Sequence, residues 1–213
     1  MKIELERVAP MEIEARSFEI ITSELPHPID ERLAPIIKRV IHTTADFDYA
    51  DTLHFSSRAV VQGVEALRGG ATIVTDTTMV AAGINKRVLQ GFGGEVRCFI
   101  ADDDVACEAR ERGMTRSAIS MERAAQLHGP LVLAIGNAPT ALVRLSELIE
   151  EGRLHPQLVI GVPVGFVNVV ESKELIMRAP VEHIVARGRK GGSTIAAAIC
   201  NALLYIASDN RRE

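Results

Sequence analysis

The fold is decided by residues 71–78, Ala71-Thr72-Ile73-Val74-Thr75-Asp76-Thr77-Thr78. The first part of this stretch is short, apolar and rich in β-branched residues, which is typical of a buried strand. The last three residues carry the side-chain oxygens that cap helix N-termini, and a helical pattern follows over residues 79–90. A strand that leads directly into a helix is the repeating unit of α/β proteins.

The same unit recurs to the end of the chain. Further strands are predicted at residues 95–100, 130–136, 158–164 and 183–187, each followed by a helix. This alternation predicts an α/β fold with a mostly parallel sheet and helices on both faces. The final helix, predicted over residues 194–207, is apolar nearly all round. We therefore expect it to be deeply buried or to form a subunit interface.

Residues 1–68 show helical patterns instead. A first helix is predicted from Pro10, with Ile13, Phe18 and Ile21 facing inward, and another over residues 56–67. Between them, apolar residues at helical spacing predict one buried stripe: Ile29, Leu33, Ile36, Ile37, Val40 and Ile41. We expect a single α/β domain over residues 1–213, with residues 1–68 as an N-terminal helical arm or cover and residues 69–213 as the alternating core.

The composition excludes several classes of protein. The chain has 213 residues, 47% of them hydrophobic, and a formal net charge of −4. These values suit one well-buried domain and disfavour a nucleic-acid-binding protein. Residues 1–6 are charged and lack the apolar core of a signal peptide, and no apolar run reaches the ~18 residues of a membrane span. We therefore expect a cytoplasmic protein that binds neither membranes nor nucleic acids.

The sequence predicts no metal site and no cofactor. The three cysteines are widely spaced, which fits unpaired thiols in a reducing compartment, and the histidines show no metal-ligand spacing. The run of acidic residues at 102–104 is interpreted as the first turn of a helix. Neither GxxxxGK[ST] nor a GxGxxG motif between a strand and a helix occurs.

The strongest candidate for acid–base chemistry is His42, within Arg39-Val40-Ile41-His42-Thr43-Thr44-Ala45-Asp46-Phe47-Asp48-Tyr49. Arg39 and His42 are three residues apart, so they are neighbours on the predicted helix. Both lie near its C-terminal end, where the backbone dipole favours positive charge. A histidine there suits a general acid or a cationic hydrogen-bond donor. Alternatively, both side chains only complement exposed carbonyl groups at the helix end.

An anion-binding site is predicted where the strands end, because ligands of open parallel sheets bind there. Four loops follow strands at this edge, at residues 76–78, 136–140, 165–168 and 188–193. Their glycines and helix N-termini would present backbone N–H groups to an anion. Arg189 and Lys190 add positive charge, and Thr77 and Asn137 add polar side chains. Taken singly, each loop is also explained as an ordinary strand-to-helix turn.

Several long segments, in the same order, resemble the precorrin-8X / cobalt-precorrin-8 methylmutases of cobalamin biosynthesis. The similarity covers almost the whole chain, from residue 16 to the last helix. The matching segments are residues 39–42, 75–76, 79–81, 115–117, 135–142, 161–167, 171–174 and 187–193. Residues 168–170 depart from the family, in which small residues are common there, so the shape of that wall of the site is left open.

The resemblance implies an isomerase that moves a methyl group from carbon 11 to carbon 12 of the macrocycle of precorrin-8X or its cobalt complex. The product is hydrogenobyrinic acid, or cobyrinic acid when cobalt is present. Residues 42–49 resemble the branch that inserts cobalt early. The family is homodimeric, with a cleft closed by both subunits.

The same resemblance assigns roles to individual residues. His42 matches the catalytic acid/base, Ser17 and Arg39 match substrate-binding positions, and Arg116 and Ser117 match a further substrate contact. Two other hypotheses stay open. In one of them, the chain binds a corrinoid as a carrier without catalysis. In the other, it is a nucleotide- or sugar-phosphate-dependent transferase that uses residues 188–193.

Overall fold

Six strands and eleven helices lie within residues 7–209, the part of the chain that the computed structural model describes. The strands are β1 (Leu53–Phe55), β2 (Thr72–Thr75), β3 (Glu95–Arg97), β4 (Leu131–Ile135), β5 (Leu158–Gly161) and β6 (His183–Ala186). The helices are α1 (Ile13–Glu24), α2 (Ala34–Thr44), α3 (Tyr49–Thr52), α4 (Ala59–Arg68), α5 (Thr78–Gly83), α6 (Lys86–Gly91), α7 (Asp103–Glu111), α8 (Arg116–Ala124), α9 (Pro139–Glu150), α10 (Val169–Arg178) and α11 (Ser193–Ala207). The charged stretch at residues 1–6 lies outside the described range.

The strands form one sheet in the order β1-β6-β5-β4-β2-β3. All neighbouring pairs are parallel except β1 and β6, which are antiparallel. The mostly parallel sheet that the sequence predicts is therefore confirmed. From β2 the chain moves to β3 on one side and then to β4 on the other. Such a reversal creates a crevice between the carboxyl ends of two strands, here β2 and β4.

Helices cover both faces of the sheet, as predicted, and each face has its own apolar core. On one face, α11 packs against α2, α4 and α5. On the other face, α8, α9 and α10 pack together over β4 and β5. The prediction that α11 is deeply buried is confirmed, since its central residues Ile199 and Leu203 are both 0% exposed. No helix within residues 7–209 is long and apolar enough to cross a membrane.

Most of the residues predicted to face inward from the N-terminal helices do so, and one does not. In α2, Ile36, Ile37, Val40 and Ile41 are buried, and the preceding Ile29 and Leu33 pack against the same core. In α1, Ile21 is buried and Phe18 packs against the core, whereas Ile13 is 54% exposed. The prediction for Ile13 is wrong because it is the first residue of a helix whose main contact is with α2.

The N-terminal segment also contributes a strand that the sequence does not predict. Residues of β1 pair with β6, Leu53 opposite Ala186 and Phe55 opposite Ile184. Three residues are too few to show the alternating pattern of a strand. Tertiary contacts decide that they pair with β6, which follows some 130 residues later in the sequence. The helical cover of residues 7–68 therefore includes one edge strand of the sheet.

The single helix predicted over residues 79–90 is divided into α5 and α6. Ile84 has an extended backbone between them, and the Asn85 side chain caps α6 by accepting from Val88 N–H. The Asn201 side chain of α11 accepts from Asn85 N–H at 2.8 Å and donates to the Gly83 carbonyl at 2.8 Å. The Asn201 side-chain amide thus provides hydrogen bonds for two backbone groups that lose their helical partners where the helix is interrupted.

Candidate functional site

Asp76 occupies the crevice between β2 and β4. Its carboxylate is fully buried and accepts hydrogen bonds from the N–H groups of Gly136, Asn137 and Ala138 at 2.9, 2.8 and 2.7 Å. Burial raises the pKa of Asp76, and the three backbone donors oppose that rise. These donors lead into α9, where a phosphate would bind in a nucleotide-binding sheet. The protein's own carboxylate therefore fills the usual anion position.

The structure brings the four predicted loops together at the carboxyl edge. Asp76 joins the loops after β2 and β4. The hydroxyls of Thr77 and Ser193 lie 3.1 Å apart, which joins the loops after β2 and β6. Gly165 N–H donates to the Arg189 carbonyl at 3.2 Å and joins the loops after β5 and β6. The predicted loops therefore form one continuous surface.

The buried side chain of Lys173 on α10 holds residues 188–190 of this surface by hydrogen bonds to their backbone. Its ammonium group donates to the carbonyls of Gly188 and Lys190 at 2.8 and 2.9 Å, and the residue is only 1% exposed. Burial lowers the pKa of Lys173 to about 8. This role is not predicted from the sequence, although Lys173 falls on the buried stripe of α10 at helical spacing. A lysine on an apolar stripe was the available signal.

Lys190 connects the loop after β6 to the loop after α2. Its ammonium group lies 2.6 Å from a carboxylate oxygen of Asp46 and 2.6 Å from one of Asp48. The hydrogen bonds that the ammonium group donates to both carboxylates raise the pKa of Lys190. Lys190 therefore ties two loops together, and the positive charge that the sequence adds here is paired with Asp46 and Asp48.

Arg189 presents its charge beside an exposed apolar patch. Its guanidinium carbon lies 5.5 Å from the centroid of the Phe166 ring, and Arg189 has no ion pair among residues 7–209. Phe166 is 81% exposed and Val167 is 77% exposed. A cation beside exposed apolar side chains suits a large, flat ligand with carboxylates on its periphery.

Residues 168–170, where the sequence departs from the family, begin with a left-handed residue, Asn168. Asn168 has φ 55° and ψ 15°, in the left-handed region that glycine and asparagine adopt most readily. Val169 is buried at the start of α10, whereas Val170 is partly exposed. At this departure from the family, Asn168 thus makes a left-handed turn before α10, and Val169 adds its side chain to the core.

His42 lies exposed in the last turn of α2, which ends at Ala45 in a left-handed cap. Its ring centroid is 5.5 Å from that of Phe18, and its ring nitrogens accept or donate no hydrogen bond within residues 7–209. Arg39 lies between two rings, 5.0 Å from the Phe18 centroid and 5.2 Å from the Tyr205 centroid, and pairs with Glu14. His42 is therefore open to a ligand beside a cation and an aromatic ring.

Ser17 belongs to the same group, since it adjoins Phe18 on α1. Its hydroxyl donates to the Ile13 carbonyl at 2.9 Å, a bond within the helix. This bond leaves the oxygen able to accept from a ligand. Arg39 and His42 of α2 both contact the Phe18 ring, and Ser17 precedes Phe18 on α1. We call Ser17, Arg39 and His42, three candidate residues of the paired helices α1 and α2, the His42 group.

A second group lies at the N-termini of α8 and α9. Arg116 and Asn137 are exposed and Ser117 is half-buried. The Thr115 hydroxyl donates to the Thr140 hydroxyl at 2.9 Å and joins the two helix ends. We call Arg116, Ser117 and Asn137 the Arg116 group. No hydrogen bond, ion pair or ring contact within the described chain joins it to the His42 group.

No cluster of three or more potential metal-ligating side chains occurs within residues 7–209. Asp102 and Asp103 begin α7 as the sequence predicts, and Asp104 in its first turn pairs with Arg123 at 3.2 Å. The acidic run at residues 102–104 therefore belongs to the start of α7.

The fold defines an α/β protein whose strand-to-helix loops, with the candidate site residues that they carry, meet at the carboxyl edge of a mostly parallel sheet. Comparisons with known proteins specify the family. Residues 12–206 match the family model described as precorrin-8X methylmutase. The chain therefore belongs to the precorrin-8X methylmutase family, which makes it an isomerase of cobalamin biosynthesis.

Individual relatives agree with this assignment. The chain is 46% identical to the cobalt-precorrin-8 methylmutase of Priestia megaterium, over 94% of this chain and 89% of the relative. It is 49% identical to the cobalt-precorrin-8 methylmutase of Salmonella typhimurium, over 92% of this chain and 95% of the relative. The crystal structure of the precorrin-8x methyl mutase from Thermus thermophilus superimposes with a TM-score of 0.85 at 40% identity, covering 93% of this chain and 98% of that one.

Proposed function

We propose that the protein moves a methyl group from carbon 11 to carbon 12 of precorrin-8 and that His42 is the acid that assists the migration. The bond from the methyl group to carbon 11 breaks and a bond to carbon 12 forms, so the composition is unchanged. A proton or hydrogen bond given to the ring favours the new arrangement of double bonds. A well-placed acid contributes a rate factor of ~10²–10⁴. The exposed imidazole of His42, with no hydrogen bond within the described chain, carries this proposal.

The charged and apolar side chains at the carboxyl edge of the sheet suit the proposed substrate, a macrocycle with acetate and propionate side chains. Arg189 has no ion pair among the described residues, and Arg116 is exposed, so both can bind carboxylates. Phe166 and Val167 offer apolar area to the ring. We assign substrate contacts to Ser17, Arg39, Arg116, Ser117, Thr77, Asn137 and Arg189. Lys190 contributes by holding the loop, since its charge is balanced by Asp46 and Asp48.

We also propose that the substrate is the cobalt complex. The relatives from Priestia megaterium and Salmonella typhimurium are named for cobalt-precorrin-8, and residues 42–49 resemble the branch that inserts cobalt early. The cobalt ion is here part of the substrate. A higher kcat/KM for cobalt-precorrin-8 than for the metal-free compound supports this assignment, and the reverse order contradicts it.

A homodimer and a cytoplasmic location are further parts of the proposal. Among residues 7–209 no polar or ring contact joins the His42 group to the Arg116 group, so a second copy that brings its Arg116 group to His42 would complete the site. The free cysteines Cys98, Cys107 and Cys200 fit a reducing compartment.

The family assignment argues against the transferase hypothesis, which placed the phosphate on residues 188–193. The crevice between β2 and β4, the other position where a phosphate would bind, is already occupied. A nucleotide- or sugar-phosphate-binding sheet uses the helix N-terminus at the crevice between strands. In this protein the Asp76 carboxylate occupies that position and would repel a phosphate.

The experiment that separates the remaining hypotheses is a visible-spectrum titration with cobyrinic acid, followed by a turnover assay with cobalt-precorrin-8. An isomerase perturbs the corrin bands saturably and converts many equivalents of substrate. A carrier binds cobyrinic acid but forms none from cobalt-precorrin-8. Absence of any spectral change at micromolar ligand contradicts the proposed site. Arg189→Ala is expected to weaken binding roughly tenfold, because one charge-assisted contact is lost, whereas Arg153→Ala on the opposite edge is a matched control.

A further inference from the structure

Lys173 is a buried cation that the proposed reaction leaves unexplained. It is 1% exposed, and the described chain supplies it with two carbonyl acceptors and no carboxylate. Burying an ammonium group costs several kcal/mol unless it is paired or hydrogen-bonded. A methionine or leucine would fill the same space on the apolar stripe of α10 without that cost. The charge at this position therefore has a use other than packing.

Lys173 fixes the conformation of residues 188–190. Three consecutive carbonyls of this segment are bound from the protein side. Lys173 binds those of Gly188 and Lys190, and Gly165 N–H binds that of Arg189 between them. The Arg189 side chain is consequently directed outward, over the Phe166 ring. Gly191 follows so tightly against Val162 and Pro163 that a Cβ atom there would overlap their carbonyl oxygens.

The same segment is connected to the helix that bears His42. The Lys190 backbone is held by Lys173, and the Lys190 side chain pairs with Asp46 and Asp48. Asp46 directly follows the cap of α2, four residues after His42. A continuous series of hydrogen bonds and ion pairs therefore runs from Lys173 to the end of α2.

We propose that Lys173 is the positioning residue of the site, which holds residues 188–190 so that Arg189 faces the substrate and the end of α2 is fixed beside it. Lys173 does not touch the substrate. This inference rests on the proposed function of His42 and Arg189, but the conformation of the loop can be measured without catalysis.

The test compares Lys173→Met with Lys86→Met, which removes an exposed lysine from α6. Trypsin cleaves after Arg187, Arg189 and Lys190, so its rate at these bonds in the folded protein reports how firmly the loop is held. Lys173→Met is expected to raise cleavage at residues 187–190 at least tenfold, with no new cleavage elsewhere. It is also expected to raise KM, through Arg189, and to lower kcat, through the end of α2, each about tenfold. Lys86→Met is expected to match the wild type in all three.

Each other outcome has a definite meaning. A folded Lys173→Met protein with wild-type cleavage at the loop and wild-type kcat and KM overturns the proposal. If Lys173→Met does not fold, Lys190→Met breaks the same connection at the surface. It is expected to lower kcat with an unchanged melting temperature, and an unchanged kcat overturns the proposal. If His42→Ala is fully active but Lys173→Met still frees the loop, the role of His42 fails while the positioning role of Lys173 stands.

Discussion

At the scale of single residues, Asp76 shows why a doubly wound sheet need not bind a nucleotide. The helix N-terminus at the crevice is present, but its three N–H groups already bind the carboxylate of Asp76. The proposed ligand surface lies outward from the crevice, on the loops that carry Thr77, Arg189 and Phe166. An internal carboxylate thus determines both the stability of this edge and where a ligand can bind.

Asp76→Ala is expected to lower the free energy of unfolding by on the order of 3 kcal/mol, because three buried N–H groups lose their acceptor. Asp76→Asn is expected to destabilise almost as much, since its NH₂ group would face an N–H donor. Urea denaturation measures both changes. Asp103→Asn, at an exposed position in the first turn of α7, is the control and is expected to cost less than about 1 kcal/mol. Wild-type stability of Asp76→Ala would contradict the account of this crevice.

At the scale of secondary-structure elements, the pairing of β1 with β6 is the feature that the sequence does not predict. The rings of His54 on β1 and His183 on β6 stack at 5.3 Å with an interplanar angle of 15°. Nδ1 of His54 and Nε2 of His183 are buried without a hydrogen-bond partner in the described chain. Burial lowers the pKa of His54, and the nearby Arg187 and His183 lower it further. This edge is therefore most stable when His54 is neutral.

Stability is accordingly expected to fall as the pH drops below about 6.5, the ordinary value of histidine. In that range the unfolded chain binds a proton at residue 54 and the folded chain does not, so protonation favours unfolding. Urea midpoints at about pH 7.5 and about pH 5.5 measure the change. His54→Phe is expected to show a smaller pH dependence, and His155→Phe, an exposed control, the same dependence as the wild type. An equal change of the urea midpoint between the two pH values in His54→Phe and in the wild type would contradict this explanation.

The elements that the sequence predicts well are those whose patterns are local. The buried strands β2, β4, β5 and β6 and the apolar helix α11 have continuous apolar runs, and their capping residues follow directly. The strand β1, the break between α5 and α6 and the partners of Lys190 depend on residues more than a hundred positions away. Lys173 lies between these cases, since its position on the stripe was visible but its two carbonyl partners were not.

At the scale of the whole molecule, no hydrogen bond, ion pair or ring contact among the described residues joins the His42 group to the Arg116 group. The first lies where α1 and α2 cover one face of the sheet, and the second at the N-termini of α8 and α9 on the other. The resemblance to the family assigned both groups to one substrate. A symmetric dimer reconciles the two observations, because each site then takes one group from each copy.

Mixing two inactive variants tests this arrangement. His42→Ala and Arg116→Ala are each expected to have low activity. After they are unfolded and refolded together in equal amounts, half of the dimers are mixed and one of their two sites is intact. About a quarter of wild-type activity is then expected. Separately refolded proteins, combined afterwards, are the control. Activity that stays at the level of the single variants would show that one chain supplies both groups.

The most direct test of the central claim is single-turnover conversion of cobalt-precorrin-8 by His42→Ala, with His155→Ala as the matched control. His155 is exposed and lies before β5, at the opposite edge of the sheet. The account predicts that His42→Ala binds cobyrinic acid as the wild type does but forms product ~10²–10⁴ times more slowly, whereas His155→Ala is unchanged. A wild-type rate in His42→Ala would contradict the assignment of His42 as the acid.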